Sequence, residues 1–382
     1  MSIFKRSGVL ALTTVLALGL VSVACGGGSE TVSIGMLSPQ TGPIAQFAPG
    51  FDSAGEVAIA ELNETHTGNY EFELIVGDSG CDGTTAATAA QTLVDSGVSV
   101  IVGAACSGAT TAAIAVAAPA GIPMISYAST SPALTTIDDN GYFFRVVPSD
   151  TQQAVALIDV ASAAGVSKPA VLYMTNDYGS GLGDNFIAGW SGDVCTKQAY
   201  DPAEGKYDAA ALAQSVTDGG CDSVLLMSYS TDGAAIVEAL SAQGFDGKII
   251  GADGVADSNF VNDFTDASAV DGLIATKPRP GKDSSAKATF EDAYAAAGGA
   301  DGAIYTHETY DAIKMAAAAI IAGGDIKGAV AATGVKYDGA SGLHTFDANG
   351  DVLGTGYEVC QFNGTDFSCP RIWTADGGLA DA

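Results

Sequence analysis

Residues 98–111 read Val98-Ser99-Val100-Ile101-Val102-Gly103-Ala104-Ala105-Cys106-Ser107-Gly108-Ala109-Thr110-Thr111. The first six are mostly β-branched and apolar, which suits a strand buried on both faces. The run then breaks into small residues, and an alanine-rich stretch at 108–119 opens directly after Ser107. Serine is favoured at a helix start, so Ser107 is expected at the N-cap. A strand that feeds a helix through a short turn is half of a parallel βαβ unit.

The same alternation extends in both directions. Strands are expected at 32–37, 72–77, 98–103 and 123–127, with helices at about 50–63, 82–96 and 108–119. After Pro148 a second series begins: strands at 170–174, 194–198, 223–227 and 248–251, and helices at about 151–164, 181–190, 206–218 and 231–243. Strand-helix alternation implies parallel sheets with right-handed crossovers and helices on both faces. Two series imply an α/β chain of two doubly wound parallel-sheet lobes. The length of 382 residues also exceeds what one core holds.

The last third breaks the count. A strand at 273–276 leads into an extended link at 277–281, two helices at about 284–297 and 307–322, and late strands near 344–346 and 357–362, around a turn at Asp347-Ala348-Asn349-Gly350. A chain that returns to both lobes uses these pieces. Lobe 1 is expected from 31–148 plus 277–354 and lobe 2 from 149–276 plus 355–382. The three crossings near Pro148, Thr276 and Gly354 would form a hinge.

The N-terminus reads as an export signal. Lys5 and Arg6 precede an apolar run at 9–24. That run is shorter than the ~20 residues a bilayer span needs and ends in small residues. Residues 1–24 are therefore expected to leave the mature chain, with 25–30 as a tether. Cys25 resembles the acceptor cysteine of bacterial lipoproteins, with Ala24 before it and a Gly/Ser stretch after it. Ser22 stands where that motif usually has Leu, and Ser22-Val23-Ala24 also fits ordinary cleavage. A lipid anchor on the outer face of the cytoplasmic membrane and a free periplasmic form both follow.

Of seven cysteines, Cys25 set aside, there remain Cys81, Cys106, Cys195, Cys221, Cys360 and Cys369. An even set outside the cell suggests disulfides, and sequence neighbours give 81 with 106, 195 with 221, and 360 with 369. Their spacing fits no zinc site, and three histidines (His66, His307 and His344) leave little scope for a metal or a general base. No cofactor is expected. Asp plus Glu number 44 against 15 Lys plus Arg, a net charge of −29. Such a surface repels phosphate backbones and anionic headgroups, so nucleic acid is excluded as a partner.

In doubly wound sheets ligands bind beyond the carboxyl ends of the strands, where helix N-termini present free N–H groups. Ser107 and Thr130 each follow a strand, the two strands are expected to be neighbours, and both residues are hydroxyl donors for a carboxylate. Asp253, after the strand at 248–251, offers a charge for an ammonium. Tyr178 and Tyr229 also follow strands and suit a cleft wall. A helix cap and ordinary turns are the plainer readings of these positions.

The chain resembles the type I periplasmic-binding-protein fold, in particular the leucine/isoleucine/valine-binding proteins of branched-chain amino-acid ABC transporters. The resemblance covers nearly the whole mature chain. It rests on Ile34-Gly35-Met36-Leu37-Ser38-Pro39-Gln40-Thr41-Gly42-Pro43, Gly77-Asp78 with Cys81, Cys106-Ser107, Ile122-Pro123-Met124-Ile125-Ser126 and Thr130-Ser131-Pro132-Ala133-Leu134-Thr135. Phe144-Arg145, Tyr178-Gly179, Gly251-Ala252-Asp253-Gly254 and Thr276-Lys277-Pro278 continue it.

The resemblance implies roles. Ser107 and Thr130 would bind the ligand carboxylate, and the Ala128 carbonyl would accept from its ammonium. Asp253 would pair with the ammonium, where close relatives often carry Glu. Tyr178 and Tyr229 would contact the ligand from the second lobe. Phe47 stands where some relatives have Tyr, and Tyr305 would line the side-chain pocket. The resemblance also implies the Cys81–Cys106 pairing. An amino acid, branched-chain or otherwise aliphatic, would be captured by hinge closure and passed by a monomer to a membrane ABC permease, with no chemistry done. Urea, a short amide or another small carboxylate is the alternative ligand. A sensory receptor subunit and a hydrolase are the other functional classes. Ser79 in Gly77-Asp78-Ser79-Gly80 resembles a protease nucleophile segment, but an alternating α/β chain does not supply that fold.

Overall fold

A computed structural model describes residues 29–65, 70–203, 205–279, 284–299, 303–354 and 356–382. The expected signal segment 1–24, Cys25 and most of the tether lie outside the described residues, as do His66, the end of the 277–281 link and the first residue of the 355–382 tail.

The first sheet has five parallel strands: β1 (Glu30–Ser38), β2 (Tyr70–Asp78), β3 (Ile101–Val102), β4 (Met124–Ser126) and β5 (Phe143–Arg145). Their order is β2-β1-β3-β4-β5. Helices α1 (Ala48–Thr65), α2 (Gly83–Asp95) and α3 (Ser107–Ala117) connect them. β3, β4 and β5 are buried throughout, as strands covered by helices on both faces must be.

The chain then enters a second sheet through α4 (Asp150–Ala163). β6 (Pro169–Met174), α5 (Asp177–Gly189), β7 (Thr196–Tyr200), α6 (Ala209–Gly219), β8 (Ser223–Met227), α7 (Ser230–Ala242), β9 (Lys248–Gly251) and β10 (Ile274–Pro278) follow. Side-chain caps set the helix starts: Asp82 accepts from Thr85 N, Asn176 from Gly179 N and Asp208 from Ala211 N.

Helices α8 (Ser285–Ala296), α9 (Thr306–Ala322) and α10 (Ile326–Thr333) return to the first sheet, where α8 and α9 pack on α1. A small hairpin follows, β11 (Val335–Asp338) with β12 (Leu343–Thr345). The chain crosses once more into β13 (Tyr357–Asn363), β14 (Asp366–Thr374) and β15 (Gly378–Asp381). These complete an eight-stranded sheet of order β15-β14-β13-β10-β9-β8-β6-β7.

The second sheet is thus mixed. Its β6–β10 part is parallel, and β13, β14 and β15 add to it antiparallel. A short loop sets the direction of β14: it is joined to β13 through Gly364 at φ 62, a hairpin connection that only antiparallel strands accept, whereas β13 reaches β10 only after α8–α10. All three expected disulfides are formed, Cys81–Cys106, Cys195–Cys221 and Cys360–Cys369. Among the described residues no helix is long and apolar enough to cross a membrane.

One buried ion pair organises the loop after β4. Arg145 is fully buried and meets Asp351 twice, Nε to Oδ1 at 2.7 Å and Nη2 to Oδ2 at 2.9 Å. Its Nη1 donates to the Ser129 and Ser131 carbonyls and its Nη2 to Thr135. Asp347 braces the turn beyond with bonds from Asn349 N and Asp351 N. The Asp347–Asp351 segment is therefore a structural turn whose second carboxylate belongs to Arg145.

Candidate functional site

The carboxyl ends of the two sheets face each other across one cavity of about 400 Å³, counting its open mouth. From the first sheet, Phe47 comes from the turn before α1, Ser107 from the start of α3, and Ala128 from the loop after β4. From the second, Tyr178 follows β6, Tyr229 follows β8 and Asp253 follows β9. Tyr305, at the start of α9, completes this set. Its φ of 60 is left-handed backbone, which a bulky residue holds only where its surroundings fix it.

Asp253 is the centre of the polar contacts. Its Oδ1 accepts from the Tyr178 hydroxyl at 2.8 Å and its Oδ2 from the Tyr305 hydroxyl at 2.7 Å. Gly254 N donates to the Tyr178 oxygen at 3.1 Å, which fixes that phenol as donor to the acid. The rings of Tyr178 and Tyr229 stack at 5.5 Å with 3° between their planes. Burial and the charge of Asp253 raise the pKa of both Tyr178 and Tyr305 well above the ordinary phenol value, so both remain proton donors.

The opposite wall is neutral. Cys106, not Ser107, is the N-cap of α3, and it makes no side-chain cap bond. Cys106 thus leaves the first amides of α3 uncapped at the positive end of the helix dipole, and Asp177 at the start of α5 comes to the same turn, accepting from the Thr111 hydroxyl at 3.0 Å. Ser107 is the first helical residue, and its hydroxyl accepts from Ser131 N at 3.2 Å. The β4 loop is tied to the β3 loop beneath it, with the Ser126 and Ser129 hydroxyls both donating to the Ala104 carbonyl.

Thr130 does not line the cavity wall. Its hydroxyl donates to Asp150 Oδ2 at 3.0 Å, while Asp150 N donates to the Thr130 carbonyl. Asp150 opens α4, is fully buried, and among the described residues leaves its Oδ1 without a hydrogen-bond partner. Burial raises its pKa well above the carboxylate range and the charge of Asp253 adds to this, against the Thr130 hydroxyl and Arg145. Burial pushes Asp253 up as well, against hydrogen bonds from Tyr305, Tyr178 and Gln153. Two neighbouring buried acids of raised proton affinity form a site that attracts a cation. Among the described lining residues there is no Lys, Arg or His to neutralise them.

Sequence reasoning missed Asp150, Ile44, Phe51 and Ile304. The last three supply apolar wall. Phe51 lies on α1 and Ile44 and Ile304 in loops, where an apolar residue is indistinguishable from core until the two sheets are seen together. Ser79 is fully buried, and among the described residues its hydroxyl has no hydrogen-bond partner and so no base.

Residues 31–366 match the profile of the periplasmic binding protein family. The chain belongs to that family. This periplasmic binding protein is 26% identical over 344 residues to the leucine-, isoleucine-, valine-, threonine- and alanine-binding protein of Pseudomonas aeruginosa, covering 88% of this chain and 91% of that one. Its fold is that of the LivJ substrate-binding protein of Streptococcus pneumoniae in complex with isoleucine, with a TM-score of 0.82 and 24% identity over 90% of this chain and 100% of that chain. A Rhodopseudomonas palustris solute-binding protein in complex with 4-hydroxybenzoate shares the fold at a TM-score of 0.78 and 18% identity, covering 92% and 96%. As a periplasmic binding protein, the chain is an extracytoplasmic solute receptor of transport.

Proposed function

We propose that this periplasmic binding protein captures an α-amino acid with an apolar side chain and delivers it, as a monomer, to a membrane ABC permease. The observation that carries this reading is the Asp253 carboxylate, pinned by two phenols and facing a neutral wall of hydroxyl and helix-start amides. The ligand's ammonium goes to Asp253, with Asp150 behind it. The ligand's carboxylate goes to Ser107 and the first amides of α3, where charge-assisted bonds contribute about 1.5–3 kcal/mol each. Phe47, Phe51 and Ile304 take the aliphatic chain. Residues 31–148 with 277–354, and 149–276 with 355–382, act as the two closing lobes. Cys25 holds the mature chain at the membrane.

A relative of the same fold takes an aromatic acid, and the stacked tyrosines here would suit one. Such a ligand leaves the Asp253 carboxylate without a cation of its own, which favours the zwitterion. Titration calorimetry with leucine, glutamate, urea and benzoate tests this. Heat of binding with leucine supports the proposal; binding of benzoate or urea with none for leucine overturns it.

A further inference from the structure

A second cavity, of about 270 Å³ counted the same way, lies apart from the solute site and shares none of its described lining. Its wall takes a piece of every passage between the two sheets. Val146 and Pro148 come from the first passage, Pro278 and Arg279 from the second, and Gly354 and Gly356 from the third. The rest of the wall is Glu308 on α9 and the 341–344 segment.

Three ionisable side chains are buried here. Glu308 is 6% exposed, His344 4% and Asp311 0%. Asp311 accepts from Ala340 N and from the amide and hydroxyl of Ser341. His344 Nε2 meets the Ser341 hydroxyl at 2.8 Å and lies 3.4 Å from Asp311 Oδ2, while its buried Nδ1 has no hydrogen-bond partner among the described residues. Serine and aspartate thus meet the same ring nitrogen, and the serine bonds the acid directly. That is not the relay of a hydrolase, in which they occupy opposite nitrogens.

Glu308 differs from Asp311. Among the described residues, no hydrogen bond from another residue reaches its carboxyl. Around it stand Asp311 on its own helix, Lys277 on β10, Glu358 on β13, and Arg279 and His344 in the cavity wall. Lys277 Nζ lies 3.6 Å from Glu358, so much of its charge is already answered. Burial therefore dominates and lifts the Glu308 carboxyl to about 8, with Asp311 and Glu358 adding and Lys277 opposing.

We infer that Glu308 is a proton-operated lock on the hinge: protonated, it lets the three passages close over it, and ionised, it drives them apart. This rests on the closing-lobe reading above, and not on which solute is bound. Opening reshapes the passages that wall the cavity and admits water to the carboxyl, which returns it toward its ordinary value. The closed form then holds one proton more than the open form between that ordinary value and about 8. Across that window the closed-to-open ratio falls by about tenfold per pH unit as pH rises, and above it no further loss occurs. Acid locks the cleft and neutral to alkaline media release it.

The test is small-angle X-ray scattering of the solute-free protein from pH 5 to 9, wild type against Glu308→Gln. Wild type is expected to expand as pH rises, ending near pH 8, with one proton more in its linkage than the variant. The Asp150–Asp253 pair contributes equally to both curves and cancels. Superimposable curves, flat or sloping, overturn the lock. Should Glu308→Gln fail to fold, Lys277→Met serves: loss of the facing cation must move the expansion to higher pH, and an unmoved curve overturns the inference. Because no solute is added, failure of the calorimetric test leaves this result readable, and the converse holds.

Discussion

The Tyr305 hydroxyl donates to Asp253 Oδ2 at 2.7 Å, joining the start of α9, which packs with the first sheet's elements, to the loop after β9 in the second. One carboxylate is therefore held by hydroxyls from both sheets, Tyr305 from the first and Tyr178 from the second. Asp253→Asn keeps the shape and removes the charge. Leucine affinity is expected to fall by at least about thirtyfold, about 2 kcal/mol or more, measured by calorimetry. Unchanged affinity would mean that the ammonium is held elsewhere.

Proton release should accompany binding. Asp150 and Asp253 both have raised proton affinity, chiefly through burial. An ammonium beside them lowers it, so the bound form holds fewer protons. Affinity is then lost as pH falls through the raised values and gained as pH rises, until the pair is ionised in the free protein. Calorimetry in buffers of different ionisation enthalpy counts the protons. Tyr305→Phe removes the strongest hydrogen bond holding Asp253 ionised and should shift the profile to higher pH.

Arg145, fully buried, and Asp351, nearly so, form a doubly bonded pair. Arg145→Met leaves Asp351 uncompensated and should cost about 3–5 kcal/mol in urea unfolding. Replacing both partners with apolar residues should recover much of that loss, since no lone charge then remains buried.

The Cys81–Cys106 bond ties the β2–α2 turn to the residue capping α3. Removing it as a Cys81→Ala/Cys106→Ala pair should cost about 3 kcal/mol of stability and weaken solute binding as well. Removing Cys360–Cys369, at the β13–β14 pair, should lower stability without touching affinity.

A net charge of −29 repels itself in the folded state more than in the expanded chain. Melting temperature should therefore rise with sodium chloride up to molar concentrations, followed by scanning calorimetry. A flat response would mean that the acidic groups are already separated beyond screening range.

The alternating core was legible because its signals are local. β3 with α3 and β8 with α7 each show an apolar run followed directly by a helix start, and Ser107, Tyr178, Tyr229 and Asp253 could be found by counting from strand ends. Residues whose meaning depends on the second sheet were not. Asp150 looks like an ordinary helix-start acid until Thr130 is set against it. β14 was hidden for another reason: Pro370 interrupts it, and proline argues against an interior strand. It is tolerated because the β13–β14 register slips between Val359 and Gln361, opposite that part of the strand. The offset of one residue at α3, with Cys106 rather than Ser107 capping, lies within the ordinary fuzziness of helix ends.

The most direct measurement is a crystal structure of the protein with the solute it retains through native purification. The expected density is a zwitterion, its cationic end against Asp253 and its anionic end at Ser107 and the opening turn of α3. A solute without a cationic group, or one bound with its charged ends turned away from both, would contradict the proposal.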